Sequence, residues 1–181
     1  MRPLRRAGFR KEGRTFRRVR SACTEVVNVQ VSQWSSRDAL SFTINLGVFF
    51  PEVQRGLEGY LALRLGQGGP KEFDCQVRTR LGALMPEASD KWWKLRAPRG
   101  PSPRPGELGD ALTTLGLPWL ERMTVPEEAR CCIESWAPTQ AMGFHLAAGE
   151  LQLARALLRE ILKASPENDA LRRWAEGRGL L

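Results

Sequence analysis

Six side chains have the chemistry to recognise a carboxylate or a phosphate on a rigid surface. They are two amides, two guanidinium groups and two indoles: Gln30, Asn45, Arg78, Arg80, Trp34 and Trp93. Amide and guanidinium N–H groups donate to anionic oxygens, and a guanidinium can do so with two parallel bonds. The tryptophans would border the site, because exposed tryptophan often marks a contact surface. The sequence therefore predicts a small-ligand or peptide site, and the alternative is an open, solvated sheet face.

Catalytic chemistry has less support. The one histidine, His145, stands in a helical stretch with no partner in a suggestive position, which is typical of a packed or surface histidine. The four cysteines lack the spacing of metal ligands: Cys23, Cys75, Cys131 and Cys132. We therefore predict no catalytic residue, no metal site and no cofactor. Four free thiols favour a reducing cytoplasm.

The positive charge is concentrated at the N-terminus. The whole chain has a net charge of +8, and residues 1–20 hold nine of its 28 basic residues but only one of its 20 acidic residues. The remainder is therefore neutral. A basic arm can bind nucleic-acid phosphates, whereas most basic runs are simply solvated. Both interpretations stay open.

Two alternating stretches must position most of the candidate site. Every second residue from Val27 to Val31 is a valine, and a second run from Phe42 to Phe50 alternates in the same way. Period-2 alternation predicts two β-strands, and the polar residues 35–38 between them predict a turn. The strands should therefore pair as a hairpin.

The alternation also constrains the register, because a slip by one residue would bury polar groups. We expect Val31 opposite Phe42 and Gln30 opposite Thr43. One face would then hold a core of seven residues buried together: Val27, Val29, Val31, Phe42, Ile44, Leu46 and Val48. The opposite face would be polar. Arg78 and Arg80 join it if the strand predicted over residues 73–84 turns its apolar side to the same core.

Shorter elements complete the N-terminal half. Turn residues and apolar spacing predict a helical stub over 1–8, a turn at 11–13, a strand over 14–19 with its arginines outward, a helix over 52–65 and an edge strand over 92–95.

A segment rich in proline and glycine, residues 97–106, separates these elements from a helical half. The predicted helices start near residue 107, with Gly116 and Pro118 breaking the first, and continue over 127–136, 139–148, 150–164 and 167–176. The run from Gly149 to Asn168 is similar to half of a tetratricopeptide repeat. One half-repeat does not make a solenoid, so a helical hairpin packed on its own domain is the simpler interpretation.

The fold class predicted is α+β, with an antiparallel sheet of about four strands in residues 14–96 and helices dominating 107–177. The expected organisation is a sheet with one helix in residues 1–96, a linker over 97–106, and a helical part over 107–181 of the same domain.

Several short motifs, taken in order, resemble one known family. GFRKEGRTFRR is followed by VVNVQVSQWSS, FTINLGV, RTRLG and DKWW. This order is similar to the bacterial family catalogued as domain of unknown function 4304, over residues 4–95 well and elsewhere loosely. The resemblance implies a compact α+β domain with a longer N-terminal helix than residues 1–8 supply. It implies no activity.

Together these features favour a non-enzymatic binding or protein-interaction module with a protein partner. The alternative is nucleic-acid contact through the basic arm, and an enzyme is the third possibility. No run of about eighteen apolar residues occurs, so we expect no membrane span.

Overall fold

The computed structural model describes residues 1–36, 39–61, 65–96 and 106–181. These residues form two compact units: unit 1 is residues 1–49 with 66–124, and unit 2 is residues 50–65 with 125–181. The linker predicted at 97–106 lies, apart from Gly106, outside the described residues. The predicted domain organisation stays a prediction.

An antiparallel sheet dominates unit 1. After a short helix α1, Arg2–Arg6, come the strands β1 Arg10–Glu12, β2 Thr15–Val19, β3 Thr24–Val31, β4 Ala39–Phe49, β5 Val77–Arg80 and β6 Trp93–Arg96. The strands pair in the order β1–β2–β3–β4–β5, and β6 pairs with the start of β4 on the edge that β4 shares with β5. The sheet and the helices after it confirm the α+β fold.

The pairing of β3 with β4 confirms the predicted register. Val31 lies opposite Phe42, and Gln30 lies opposite Thr43. Residues that are directly opposed on neighbouring strands turn their side chains to the same face. The sheet therefore has one apolar face and one polar face.

Most of the predicted core is buried. Five of the seven residues have 7% or less of their surface exposed: Val27, Phe42, Ile44, Leu46 and Val48. The prediction is wrong for Val29 and Val31, which are only half-buried. β2 pairs with β3 only as far as Asn28, so the end of β3 extends past its neighbour and has less cover.

Two other predictions in unit 1 are wrong. The turn expected at 11–13 is mostly strand, since β1 continues to Glu12. Over residues 73–84 only β5 is a strand, and it lies between two 3₁₀ turns, Glu72–Asp74 and Leu81–Leu84. The chain leaves the strand where Gly82 packs tightly: a Cβ there would lie 2.5 Å from the carbonyl O of Ser89.

One continuous helix packs on the apolar face. It consists of α3 Glu107–Ala111, a π-helical turn Leu112–Gly116 and α4 Leu117–Met123. The predicted break at Gly116 and Pro118 is wrong. Pro118 lies in the first turn of α4 and has no backbone N–H to donate to the preceding turn. The wider π turn before it makes room for the proline ring, so the helix continues. Gly116 faces the sheet, because a Cβ there would lie 3.2 Å from Leu81 Cδ1 and 3.7 Å from Leu46 Cδ1.

A buried carboxylate ties β2 to β3 at the edge of the apolar face. Glu25 is fully buried and accepts from Nε of Arg18 at 2.5 Å and from Nε of Arg20 at 2.9 Å. Glu121 on α4 contacts both guanidinium groups from the other side. Arg18 therefore shares a face with Phe16, and the prediction that all arginines of β2 point outward is wrong for this residue.

Unit 2 is helical. Its helices are α2 Pro51–Gly56, α5 Pro126–Ile133, α6 Pro138–Ala147, α7 Leu151–Ala164 and α8 Asp169–Gly177. The last four match the predicted helices with ends shifted by at most three residues. α2 is shorter than the predicted 52–65, and the chain turns away at Gly59, which has a φ of +87°. Within the described ranges, no helix is long and apolar enough to cross a bilayer.

The helices of unit 2 pack closely. The rings of Phe50 and Phe144 meet edge to face, with centroids 4.9 Å apart. Gly143 on α6 lets α2 approach, because a Cβ there would lie 2.8 Å from Leu57 Cδ1 and 2.9 Å from Val53 Cγ1.

Candidate functional site

The polar face of the sheet carries four of the six predicted site residues. Asn45 on β4 lies opposite Arg80 on β5, and Gly47 lies opposite Arg78. Gln30 on β3 lies on the same face, since its partner on β4 is two residues from Asn45. The structure therefore brings two amides and two guanidinium groups to one side of three adjacent strands.

The two amides bind each other. Nδ2 of Asn45 donates to Oε1 of Gln30 at 2.9 Å, and Asn45 is only 4% exposed. The Gln30 side chain is exposed, and its own N–H groups bond to no described residue. Asn45 therefore holds Gln30 in place, and Gln30 is the amide that can donate to a ligand.

Arg80 already has an internal partner. Its Nη1 lies 2.5 Å from Oδ1 of Asp90, and its guanidinium lies over the ring of Trp92, 5.7 Å from the centroid. The hydrogen bond from Arg80 lowers the pKa of the Asp90 carboxyl. Nε1 of Trp92 also donates to Asp90, at 3.2 Å. Arg80 thus belongs to a small fixed cluster on this face.

Arg78 is available for a ligand. Its side chain is exposed, and in the part of the chain that the structure describes it forms no hydrogen bond or ion pair. Its positive charge acts to lower the pKa of Glu72. A guanidinium on a rigid strand with unused donors can bind a carboxylate with two parallel hydrogen bonds.

Glu72 is a site residue that sequence reasoning missed. It lies in the 3₁₀ turn Glu72–Asp74 and lines the same depression as Arg78. Burial raises the pKa of its carboxyl, while the charges of Arg78 and Arg80 act in the opposite direction. The only sequence signal for it was a carboxylate just before an alternating stretch, which is too common to be diagnostic.

Two open depressions lie on this face and meet at Gln30. One has a volume of about 280 Å³ and is lined by Gln30, Asn45, Glu72, Arg78, Thr79 and Arg80. The other has a volume of about 420 Å³ and is lined by Gln30, Val31, Ser32, Gln33, Trp34 and Trp92. We call them the charged depression and the aromatic depression. Together they form a shallow groove across the sheet.

The two predicted tryptophans lie on different faces. Trp34 is 85% exposed and borders the aromatic depression. Trp93 pairs with Phe42 across β6 and β4, stacks on its ring at 6.1 Å and is 3% exposed on the apolar face. The prediction that Trp93 borders the polar face is therefore wrong, and its neighbour Trp92 takes that position.

A loop covers the other end of the polar face. Nε of Arg17 donates to the carbonyl O of Pro70 at 2.6 Å, and a Cβ on Gly47 would lie 2.8 Å from Sγ of Cys75. Cys75 therefore packs over the polar face, and the prediction that it turns toward the apolar core is wrong. Because of burial, the pKa of its thiol is raised well above the usual value.

The remaining reactive side chains do not line this groove. Cys23 is buried, which raises the pKa of its thiol to about 11, while Cys131 and Cys132 are exposed on α5. Nδ1 of His145 lies 2.7 Å from Oε2 of Glu150 in unit 2. Among the described residues, no three metal-binding side chains lie close enough together to hold an ion.

Comparison with known proteins gives one match. A family model described as Domain of unknown function (DUF4304) matches residues 1–122. No curated protein and no solved structure matches the chain. The family match covers more than half of the chain, including every strand of the sheet and the whole groove. The chain therefore belongs to the DUF4304 family, as the order of its sequence motifs indicates.

Proposed function

We propose that this protein is a non-enzymatic binding module whose polar groove holds a segment of a partner protein. The observation that carries the proposal is the guanidinium of Arg78, which has no partner among the described residues and lines the same depression as Glu72 and the hydrogen-bonded amides of Gln30 and Asn45. Rigid strands position such donors better than loops do.

The mixture of charges favours a polypeptide as the ligand. Arg78 supplies donors for a carboxylate or a carbonyl oxygen, and Glu72 supplies an acceptor for an N–H group or an ammonium. A peptide segment carries both kinds of group, whereas a phosphate chain carries only acceptors and would meet repulsion from Glu72. Trp34 supports the same conclusion, because a large exposed indole is typical of protein contact surfaces.

The test is a binding measurement with a defined probe. Peptides are selected from a displayed random library on the wild-type chain, and their affinity is measured by titration. Arg78→Ala should weaken binding about tenfold, the usual effect of losing a charge-assisted hydrogen bond. Arg10→Ala is the control, because Arg10 is also exposed and carries the same charge.

The melting temperature separates the possible results. Weaker binding by Arg78→Ala at an unchanged melting temperature supports the proposal. Unchanged affinity would show that Arg78 has no role in binding. Unfolding of the Arg78→Ala variant would show that the role of Arg78 is structural.

Nucleic-acid contact is the second candidate. Six exposed basic side chains at the N-terminus form no ion pair with the described residues: Arg2, Arg5, Arg6, Arg10, Lys11 and Arg14. Deleting residues 1–20 would remove two strands of the sheet, so charge substitution is the better test. Arg2, Arg5 and Arg6 changed together to Gln should abolish salt-dependent retention on a nucleic-acid column. Equal retention of the variant and the wild type would reject this candidate.

We also propose a bacterial cytoplasmic location. It is supported by the four free cysteines, two of them exposed, because a reducing compartment keeps such thiols unpaired.

A further inference from the structure

The end of β3 has a backbone edge on which no described strand pairs. β2 pairs with β3 only as far as Asn28, after which the N–H of Val29 donates to the carbonyl O of Arg14 at 2.9 Å. On its other side β3 stays paired with β4 as far as Val31. Successive residues of an antiparallel strand direct their N–H and C=O groups to alternate sides. The backbone groups of Val31 therefore point to the side that β2 has left, and no described residue bonds to them.

This edge lacks the charge that protects the outer edge of β1. β1 is only three residues long, and all three are charged and exposed. Short, charged edge strands discourage pairing with another chain. From Val29 to Val31 the edge of β3 carries no charge, and both valines are partly exposed. A neutral, β-branched edge of this kind is suited to strand addition.

The surroundings of the edge could receive side chains as well as backbone. It borders the aromatic depression, whose walls include Val31, Trp34 and Trp92. A strand lying along Val31 would turn every second side chain toward this depression. Its other side chains would cover the half-buried Val29 and Val31 on the opposite face.

We propose that this edge binds an extended segment of a partner protein as an added strand, with an acidic residue of that segment beside Arg14. The proposal rests on the proposed function, that the chain binds a protein, and adds the mode of binding. Arg14 lies next to Val29 at the tip of the β1–β2 turn and forms no ion pair with the described residues. A second copy of this chain is a poorer occupant, because each copy has a net charge of +8.

The first test removes one backbone donor from the edge. Val31→Pro removes the outward N–H, which an edge position tolerates, while Val31→Thr keeps both the N–H and the branched side chain. The probe is a displayed library of random peptides of about twelve residues, long enough for a strand and its flanks. Selected peptides should alternate apolar residues and carry an acidic one. Val31→Pro should weaken the binding of these peptides about tenfold, and Val31→Thr should weaken it by less than about threefold.

A second measurement does not depend on the variant folding. In the wild-type chain, a bound peptide should slow hydrogen exchange of the Val31 amide and leave the amides of β1 unchanged. Arg14→Glu should weaken the binding of the same peptides, because the new carboxylate would repel their acidic residue. Protection elsewhere without protection of Val31 would overturn the proposal, as would a failure to select any peptide or equal affinity for Val31→Pro.

The same experiments separate this inference from the proposed function. Peptides that lose affinity with Arg78→Ala but not with Val31→Pro would support the groove and overturn strand addition. The reverse result would leave strand addition standing and reject the role of Arg78. A wild-type dimer in sedimentation that becomes monomeric in Val31→Pro would show that a second copy occupies the edge, which would also overturn the proposal.

Discussion

The fully buried carboxylate of Glu25 accepts from Nε of Arg18 at a distance of 2.5 Å. Arg20 binds the same carboxylate, and Glu121 on α4 contacts both guanidinium groups, so two acidic residues neutralise two arginines at the basic end of the chain. The functional meaning of the N-terminal charge changes accordingly, because part of it is used internally to hold β2, β3 and α4 together.

Glu25→Gln should destabilise unit 1 by about 3–5 kcal/mol, the usual cost of removing one partner from a buried ion pair. The control is Glu121→Gln. The Glu121 side chain is 58% exposed, so this substitution should cost less than about 1 kcal/mol. Chemical unfolding of both variants measures the difference. Equal losses would contradict the structural role given to Glu25.

Ile44→Ala should lower the free energy of unfolding by about 2–5 kcal/mol, because Ile44 is fully buried in the apolar core. Val29→Ala, one strand away and half-buried, should lower it by less than about 1 kcal/mol. Denaturant titration gives both values. A loss below about 0.5 kcal/mol for Ile44→Ala would mean that the wrong face has been taken as the core.

Glu72 should titrate above the ordinary glutamate pKa of about 4.3, because burial raises its pKa. A carboxyl whose pKa is raised by folding has its full contribution to stability at low pH and loses it as the pH rises through the folded pKa. Glu72→Gln should therefore leave the melting temperature unchanged in acid and raise it at neutral pH.

The Glu72 titration can also test the position of Arg78. Arg78→Ala should raise the pKa of Glu72 further, because the positive charge of Arg78 acts to lower it. NMR titration of the Glu72 side chain measures both values. A pKa that does not change on loss of Arg78 would place the guanidinium away from the depression.

Gly47→Ala should destabilise unit 1 by about 1–3 kcal/mol, the usual cost of overpacking, because the new methyl would lie 2.8 Å from Cβ of Cys75. Adding Cys75→Gly should recover part of the loss, since it removes the clashing atoms. Gly177→Ala has open space around its Cβ and serves as the neutral control. Thermal unfolding of the wild type and these three variants measures the losses. An unchanged melting temperature for Gly47→Ala would place the loop away from the sheet.

Local patterns predicted the elements whose signal lies in adjacent residues. The alternation from Val27 to Val31 and from Phe42 to Phe50 was enough to specify both strands, their register and the face that carries Gln30 and Asn45. The ends of α5, α6, α7 and α8 were predicted closely for the same reason, because amphipathic spacing and N-terminal prolines are local signals, whereas the end of α2 was not.

Features that depend on distant residues were missed. The face of Trp93 depends on which strand β6 joins, and pairing with Phe42 turned it into the core and left Trp92 on the polar side. Glu72 and Cys75 lie on that side because the loop before β5 folds back over Gly47, which no alternation records. The π turn before Pro118 was missed because glycine and proline in sequence usually end a helix.

The distribution of the four thiols gives the protein an internal reporter. Cys23 and Cys75 are buried in unit 1, and Cys131 and Cys132 are exposed in unit 2. An alkylating reagent should therefore add two labels to the native chain, both on α5, and four once unit 1 opens. Counting labels by mass spectrometry would follow the opening of the sheet alone, in dilute samples and without an added probe.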